Sequence, residues 1–343
     1  MAKMLVIGSE ERVRSNLPDL PVARQAEIAV VPRGASAEEA LAAGADADFV
    51  LADAISPVTA ELMARMPRLK MVQSEGVAYN AIDTKYAAEQ GIYVCNNKGV
   101  NAPGVAEQTL LLILGLLKRV IPADRAVREG EQIAYKEHAM GKVAELRGRT
   151  VGLVGFGDIA QETAKRLRAF DAQVLCTKRT PLAPEEERAY GVRCVGLDEL
   201  LAGSDIVSLH VPVTPATEGM ANDAFFAKMR EGSYLVNTAR GQLVDNDACV
   251  RALRSGKLAG AAFDTLAPEP VLPDNPLLSL PEDLRDKVLF SPHIAGVTER
   301  VFPSVHRHVW ENAARVLAGE EPTCVVNGVT PATCRPIRWG FGR

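Results

Sequence analysis

No apolar run in this sequence is long enough to cross a membrane. The longest, LLLILGLL at 110–117, lies between Glu107 and Lys118, far short of the roughly 20 residues a span requires. It is expected to form one buried helix, against a core or a partner subunit. Paired cysteine motifs are also missing. The six cysteines, at 95, 176, 194, 249, 324 and 334, are scattered, without the spacing of a metal site. Reduced thiols, no bound metal and a cytoplasmic protein are the expectation. Nor is there an excess of positive charge: the net value is −4, which argues against nucleic acid or an anionic membrane as partner. The opening MAKMLVIGSEERVR has too short an apolar stretch to be a leader and reads as a strand. Low-complexity tracts are absent.

What is present is ordinary globular chemistry, with 47% hydrophobic and 24% charged residues in 343. That length suffices for two core-forming domains. KMLVIG, EIAVV, DFVLA, LKMVQS and GIYVCN read as strands bounded by turn-forming residues, with helices expected at 37–43, 59–65 and 84–90. A second series, TVGLVG, AQVLCT, DIVSLHV, GSYLVNT, LAGAAFD and KVLFSPH, alternates with helices expected at 159–170, 222–229 and 246–255. Strand–helix alternation implies parallel sheets covered on both faces. The expected fold is α/β, with two Rossmann-like or flavodoxin-like parallel-sheet domains. A last helix at 298–319 is expected to return to the first lobe, giving one domain from 1–99 plus 295–325 and another from 100–294. The tail at 326–343 has no periodicity and reads as a coil that docks.

Ligands of open α/β sheets bind outside the carboxyl ends of the strands, so the loops there carry the candidate chemistry. Gly155-Phe156-Gly157-Asp158-Ile159-Ala160 fits GxGxxG/A between a strand and a helix. That context supplies a tight turn, close backbone approach to a pyrophosphate and a helix N-terminus facing it. One more absence follows about 20 residues later, where a ribose-gripping acid normally stands. Here the chain reads Lys178-Arg179-Thr180. Two cations and a hydroxyl suit a 2′-phosphate, so NADP(H) is favoured, with NAD(H) as the alternative. Three further strand ends deliver Arg240, Glu269 and His293. A planar guanidinium can clamp a carboxylate and its neighbouring carbonyl. A histidine beside a carboxylate can pass a proton to a carbonyl oxygen.

The motifs SEGVAYNAID, GVNAPGVAEQTLLLILGLLKR, LRGRTVGLVGFGDIA, HVPVTPATEG, VNTARGQLVDNDA, AAFDTLAPEP and SPHIAG together resemble the D-isomer-specific 2-hydroxyacid dehydrogenases over about residues 50–320. The resemblance implies an active-site cleft between the two domains and reduction of a small 2-oxo acid such as glyoxylate, hydroxypyruvate or pyruvate. It implies Arg240 on the substrate carboxylate and carbonyl, His293 as acid/base and Glu269 as its partner. Asp264 would hold the nicotinamide carboxamide, and His210, Val211, Pro212, Thr238 and Ala239 would line the cofactor. Backbone amides at about Glu75 and Gly76 would meet the substrate carboxylate. This sequence departs from the family's usual pattern at Ala78, commonly a glycine, and at Glu75, which adds a negative charge. A homodimer built around the 105–117 helix is implied as well. Other readings are a phosphoglycerate dehydrogenase using NAD and a cofactor-sensing binding protein like the corepressors that share the fold.

Overall fold

The computed structural model describes residues 1–335; the end of the expected tail, 336–343, lies outside the described residues. Two compact units form, one from Met1–Val100 with the chain after Thr298, the other from Asn101–Val297. The breaks fall one and three residues beyond the expected boundaries.

The first unit begins with β1 (Lys3–Ile7), α1 (Glu10–Ser15), α2 (Pro21–Gln25), β2 (Glu27–Val31) and α3 (Ala37–Gly44). It continues with β3 (Phe49–Ala52), α4 (Ala60–Ala64), β4 (Met71–Ser74), α5 (Thr84–Glu89) and β5 (Tyr93–Cys95). The sheet is wholly parallel in the order β2-β1-β3-β4-β5, the flavodoxin-like order. Successive side chains of a strand face opposite ways, and both faces are apolar here. Met4 and Val6 pack with Val305, Val309 and Trp310. Leu5 and Ile7 pack with Leu41, Leu62 and Met63. Continuous runs such as MLVI therefore appear where alternation would mark a one-sided sheet.

The second unit opens with α6 (Ala102–Lys118), α7 (Val120–Arg128), α8 (Gln132–Ala139), β6 (Thr150–Val154), α9 (Asp158–Arg168) and β7 (Gln173–Thr177). Next come α10 (Pro184–Tyr190), β8 (Arg193–Cys194), α11 (Leu197–Gly203), β9 (Ile206–Leu209), α12 (Asp223–Lys228) and β10 (Ser233–Asn237). It closes with α13 (Asn246–Ser255), β11 (Leu258–Phe263), α14 (Glu282–Arg285) and β12 (Val288–Phe290). Its parallel sheet runs β12-β11-β10-β9-β6-β7-β8, a Rossmann order reversing beside β6. Because the strands are all parallel, the loops after them leave one edge.

The last helix, α15 (Val301–Ala318), belongs to the first unit, as expected, and buries Val305, Val309 and Trp310 against its sheet. The start of the tail also docks there. Asn327 accepts from the Val94 amide at 3.1 Å and donates to Ile92 O at 2.8 Å, and the Arg335 amide donates to Gly91 O at 2.7 Å.

One expectation needs correction. The apolar 105–117 segment was expected to present a stripe to a second copy. In the structure Val105, Leu110, Leu112, Ile113, Leu116 and Leu117 are all buried, most of them in the core of the second unit with Val151, Leu153 and Ala164. Only Leu111 is well exposed. The exposed apolar surface instead continues onto Val120, Ile121, Val127, Ile133 and Met140 of α7, α8 and the C-terminal end of α8.

Candidate active site

The glycine turn forms because β6 must reverse directly into α9. Gly155 has φ +96°, a region that L side chains avoid. A Cβ there would also lie 2.6 Å from His210 O and 2.8 Å from Val211 Cγ1. At Gly157 a Cβ would meet nothing within 4 Å. Gly157 caps α9 without any side-chain hydrogen bond, so the first amides of that helix face open space. Uncapped amides at a helix N-terminus suit an anion, and these residues fit a nucleotide pyrophosphate. Asp158 and Ile159 contribute through that backbone. Phe156 is different: its ring is buried edge-on against Tyr190, 5.3 Å between centroids, leaving only its backbone for a ligand.

Lys178, Arg179 and Thr180 follow β7 and are exposed. The Gly155 amide donates to Thr177 O at 3.1 Å, tying this loop to the glycine turn. Neither Lys178 nor Arg179 has an ion-pair partner among the described residues. On the other side of β6, His210 ends β9 with Nε2 3.0 Å from Ser208 Oγ. Burial pushes this histidine down to about 4, so the ring is neutral near pH 7. Val211 and Pro212 follow, with the Val211 side chain against the glycine turn.

After β10 the chain makes a tight turn that sequence reading did not anticipate in detail. Buried Asn237 accepts from the Ala239 amide at 3.0 Å and donates to Arg240 O at 2.9 Å. Arg240 is exposed, its Nη1 donating to Ala239 O at 2.7 Å, and no carboxylate pairs with it among the described residues. The hydroxyl of Thr238 is buried and 2.9 Å from Thr109 Oγ1. Thr109 already donates to Val105 O, so Thr238 donates to Thr109. Its side chain is thus committed to α6 rather than to a cofactor. Gly241 brings this turn onto the next loop, for a Cβ there would lie 2.2 Å from Leu266 C.

His293 is held in that neighbourhood by backbone and side chain together. Its φ is +55°, uncommon outside glycine. Its amide donates to Asp264 O at 2.7 Å. The expected role of Asp264 as a free carboxylate for the nicotinamide carboxamide is corrected here. Asp264 is buried, and its carboxylate accepts from Ser291 Oγ, from the Ile294 amide at 3.1 Å and from the Ala295 amide at 3.0 Å. The loop after β12 has amides that no sheet partner satisfies, and buried donors require an acceptor. Ser291 in turn accepts from Gln108 at 2.9 Å. Gln108, Ser291 and Asn237 were missed in the sequence because their roles exist only through distant partners.

The outcome is a pair: His293 Nδ1 stands 2.5 Å from Glu269 Oε1. The carboxylate accepts the Nδ1 proton, which fixes the tautomer and leaves Nε2 free to bind or release a proton.

The first unit holds the other expected residues. Glu75 and Gly76 follow β4, but their amides are engaged: Glu75 N donates to Ala52 O at 2.7 Å and Gly76 N to Ser74 Oγ at 3.2 Å. The expected amides are therefore corrected by two positions. Val77 and Ala78 have carbonyls tied down by Asn96 and Ser74, at 2.8 and 2.6 Å, while their amides have no partner among the described residues.

Residues 110–295, more than half of the chain, match the family model described as "D-isomer specific 2-hydroxyacid dehydrogenase, NAD binding domain". The chain belongs to that family. A glyoxylate reductase of Thermofilum pendens is 38% identical over 292 residues, covering 85% of each chain. A D-3-phosphoglycerate dehydrogenase of Archaeoglobus fulgidus is 35% identical over 84% of this chain but 53% of its own. The apo form of D-mandelate dehydrogenase from Rhodotorula graminis superposes with a TM-score of 0.81 at 26% identity, covering 95% of this chain and 97% of that one. The chain is thus an NAD(P)-dependent oxidoreductase of the 2-hydroxyacid dehydrogenase class. The matched region falls within the second unit, where the glycine turn, Arg240, Glu269 and His293 all lie.

Proposed function

We propose that this dehydrogenase works as an NADPH-dependent reductase of small 2-oxo acids, of the glyoxylate, hydroxypyruvate or pyruvate type. The 2.5 Å pairing of His293 with Glu269 carries the catalytic part of this reading. A bound nicotinamide supplies the hydride. His293 delivers a proton from Nε2 to the carbonyl oxygen, and Glu269 stabilises the charged ring and keeps it oriented. Arg240 binds the carboxylate and the carbonyl oxygen through its planar fork, stabilising charge as it develops on that oxygen. The amides of Val77 and Ala78 are the donors that the first unit offers to the same carboxylate. Similarity to the Thermofilum glyoxylate reductase supports a small substrate. The Archaeoglobus relative makes phosphoglycerate oxidation the second reading. Initial rates with NADPH and NADH, each against glyoxylate, hydroxypyruvate, pyruvate, phenylpyruvate and 2-oxoglutarate, test the proposal. Phosphoglycerate oxidation, assayed alongside, separates the two.

The NADP(H) preference rests on the unpaired Lys178 and Arg179 at the end of β7. Replacing both with alanine is expected to weaken NADPH binding at least tenfold, since one charge-assisted contact is typically about 1.5–3 kcal/mol. NADH binding should change little. Fluorescence titration with both cofactors measures this, and equal losses for the two reject the assignment.

A cytoplasmic location fits the six unbridged cysteines; no helix among the described residues is long and apolar enough to cross a membrane. We place a homodimer contact on Leu111 and the exposed apolar residues of α7 and α8 rather than on the buried face of α6. Contiguous apolar exposure of this kind marks an interaction surface. Light scattering at micromolar concentration should give twice the chain mass, and Val127→Asp together with Ile133→Asp should lower it to one.

A further inference from the structure

The loop after β4 contains a charged residue where a carboxylate substrate is expected, and the first unit surrounds it with an ordered network. Glu75 is buried, only 8% exposed. Arg12 grips both its oxygens, Nε to Oε1 at 2.8 Å and Nη2 to Oε2 at 2.5 Å. His306 from α15, fully buried, places Nε2 3.1 Å from Oε1. Arg12 also reaches Asp53 at 3.0 Å and lies 4.9 Å over the Phe302 ring. Arg33 caps Asp53 at 2.5 Å. Burial opposes ionisation of Asp53, yet the Arg33 and Arg12 guanidiniums and the Ile55 amide hold its carboxyl below the usual value. Two guanidiniums thus face two carboxylates, and the charges cancel.

This cancellation matters because of where Glu75 sits. The amides of Val77 and Ala78 are two and three residues further on, and consecutive Cα atoms are about 3.8 Å apart. The ion pair therefore stands roughly 7 Å from the first of them. At that separation and an effective dielectric near 20, one charge still acts strongly on another. A dianion responds about twice as strongly as a monoanion.

We infer that Glu75 determines the charge class of the substrate: by neutralising Arg12 beside the carboxylate-binding amides, it fits the turn to monoanionic 2-oxo acids and withholds a cation from dianionic ones. The inference rests on the proposed 2-oxo acid reductase reading. Glu75 touches Arg12 and His306 rather than the reacting atoms, so it is a positioning and specificity residue.

The test is the ratio of kcat/KM for oxaloacetate and 2-oxoglutarate to that for glyoxylate and pyruvate, measured with NADPH. Glu75→Gln keeps the shape and removes the charge, exposing Arg12, and the ratio should rise about tenfold. Arg12→Gln leaves the carboxylate without its guanidinium, and the ratio should fall. Glu75→Asp, which keeps the charge, should stay within about threefold of the wild type. Opposite signs in two variants separate this from simple loss of folding, which lowers both substrates together. Ratios that stay at the wild-type value, or move in the same direction in Glu75→Gln and Arg12→Gln, overturn the inference while the reductase reading stands. A wild-type protein that binds NADPH and turns over none of the four acids overturns both.

Discussion

Replacing His293 with alanine is expected to slow 2-oxo acid reduction by about 10²–10⁴-fold, the usual contribution of a positioned acid, with cofactor binding intact. The reason is geometric. His293 has its Nδ1 bound to Glu269 and its backbone pinned to Asp264, so Nε2 is presented in one orientation. Alanine removes the proton donor but leaves the glycine turn and the Lys178 loop untouched, and those carry the nucleotide. Stopped-flow reduction and a separate NADPH titration measure the two effects. A loss of cofactor affinity matching the loss of rate rejects the acid/base role. The partner is tested through pH. Reduction consumes the protonated ring, so its rate falls as pH rises through the ring's titration. In Glu269→Gln the imidazolium loses its stabilising carboxylate, and the fall should come at lower pH. Oxidation at high pH, which uses the neutral ring, should suffer less. A limit that stays in place or moves upward removes Glu269 from this role.

Arg240→Lys is expected to lower kcat and raise KM together, with kcat falling about 10²–10³-fold, as when one donor to a developing oxyanion is lost. Arg240 has no carboxylate partner among the described residues, and Asn237 fixes the turn that presents it. An ammonium preserves the charge but not the planar two-point donor set. If charge alone mattered, lysine would restore most of the activity. Steady-state kinetics with glyoxylate decide this, and a change confined to KM shows that Arg240 only anchors the substrate.

Much of the second unit was legible from local pattern. The strands of both sheets are apolar runs broken by turn residues, and parallel sheets buried on both faces produce such runs. The glycine turn was legible because φ +96° beside a packed carbonyl excludes every other residue type. Short elements were not. The two-residue β8 and the helices α7, α8, α10 and α11 lack enough periodic positions to stand out from loops.

The sequence by itself determined the architecture, the family and the residues Arg240, Glu269 and His293, because each follows from composition or motif within a few neighbours. The tertiary structure decided what those residues and others touch. The 105–117 pattern is apolar on nearly every face, which suits a core and an interface equally; packing against α9 and the sheet made it core. Asp264 looked like a free acid until the loop near Ile294, 30 residues on, brought it amides to satisfy. Glu75 looked like an unpaired charge, but Arg12 lies 63 residues before it and His306 lies 231 after it. Hydrogen bonds and ion pairs act over a few ångströms in space, and sequence separation places no bound on which groups the fold brings that close.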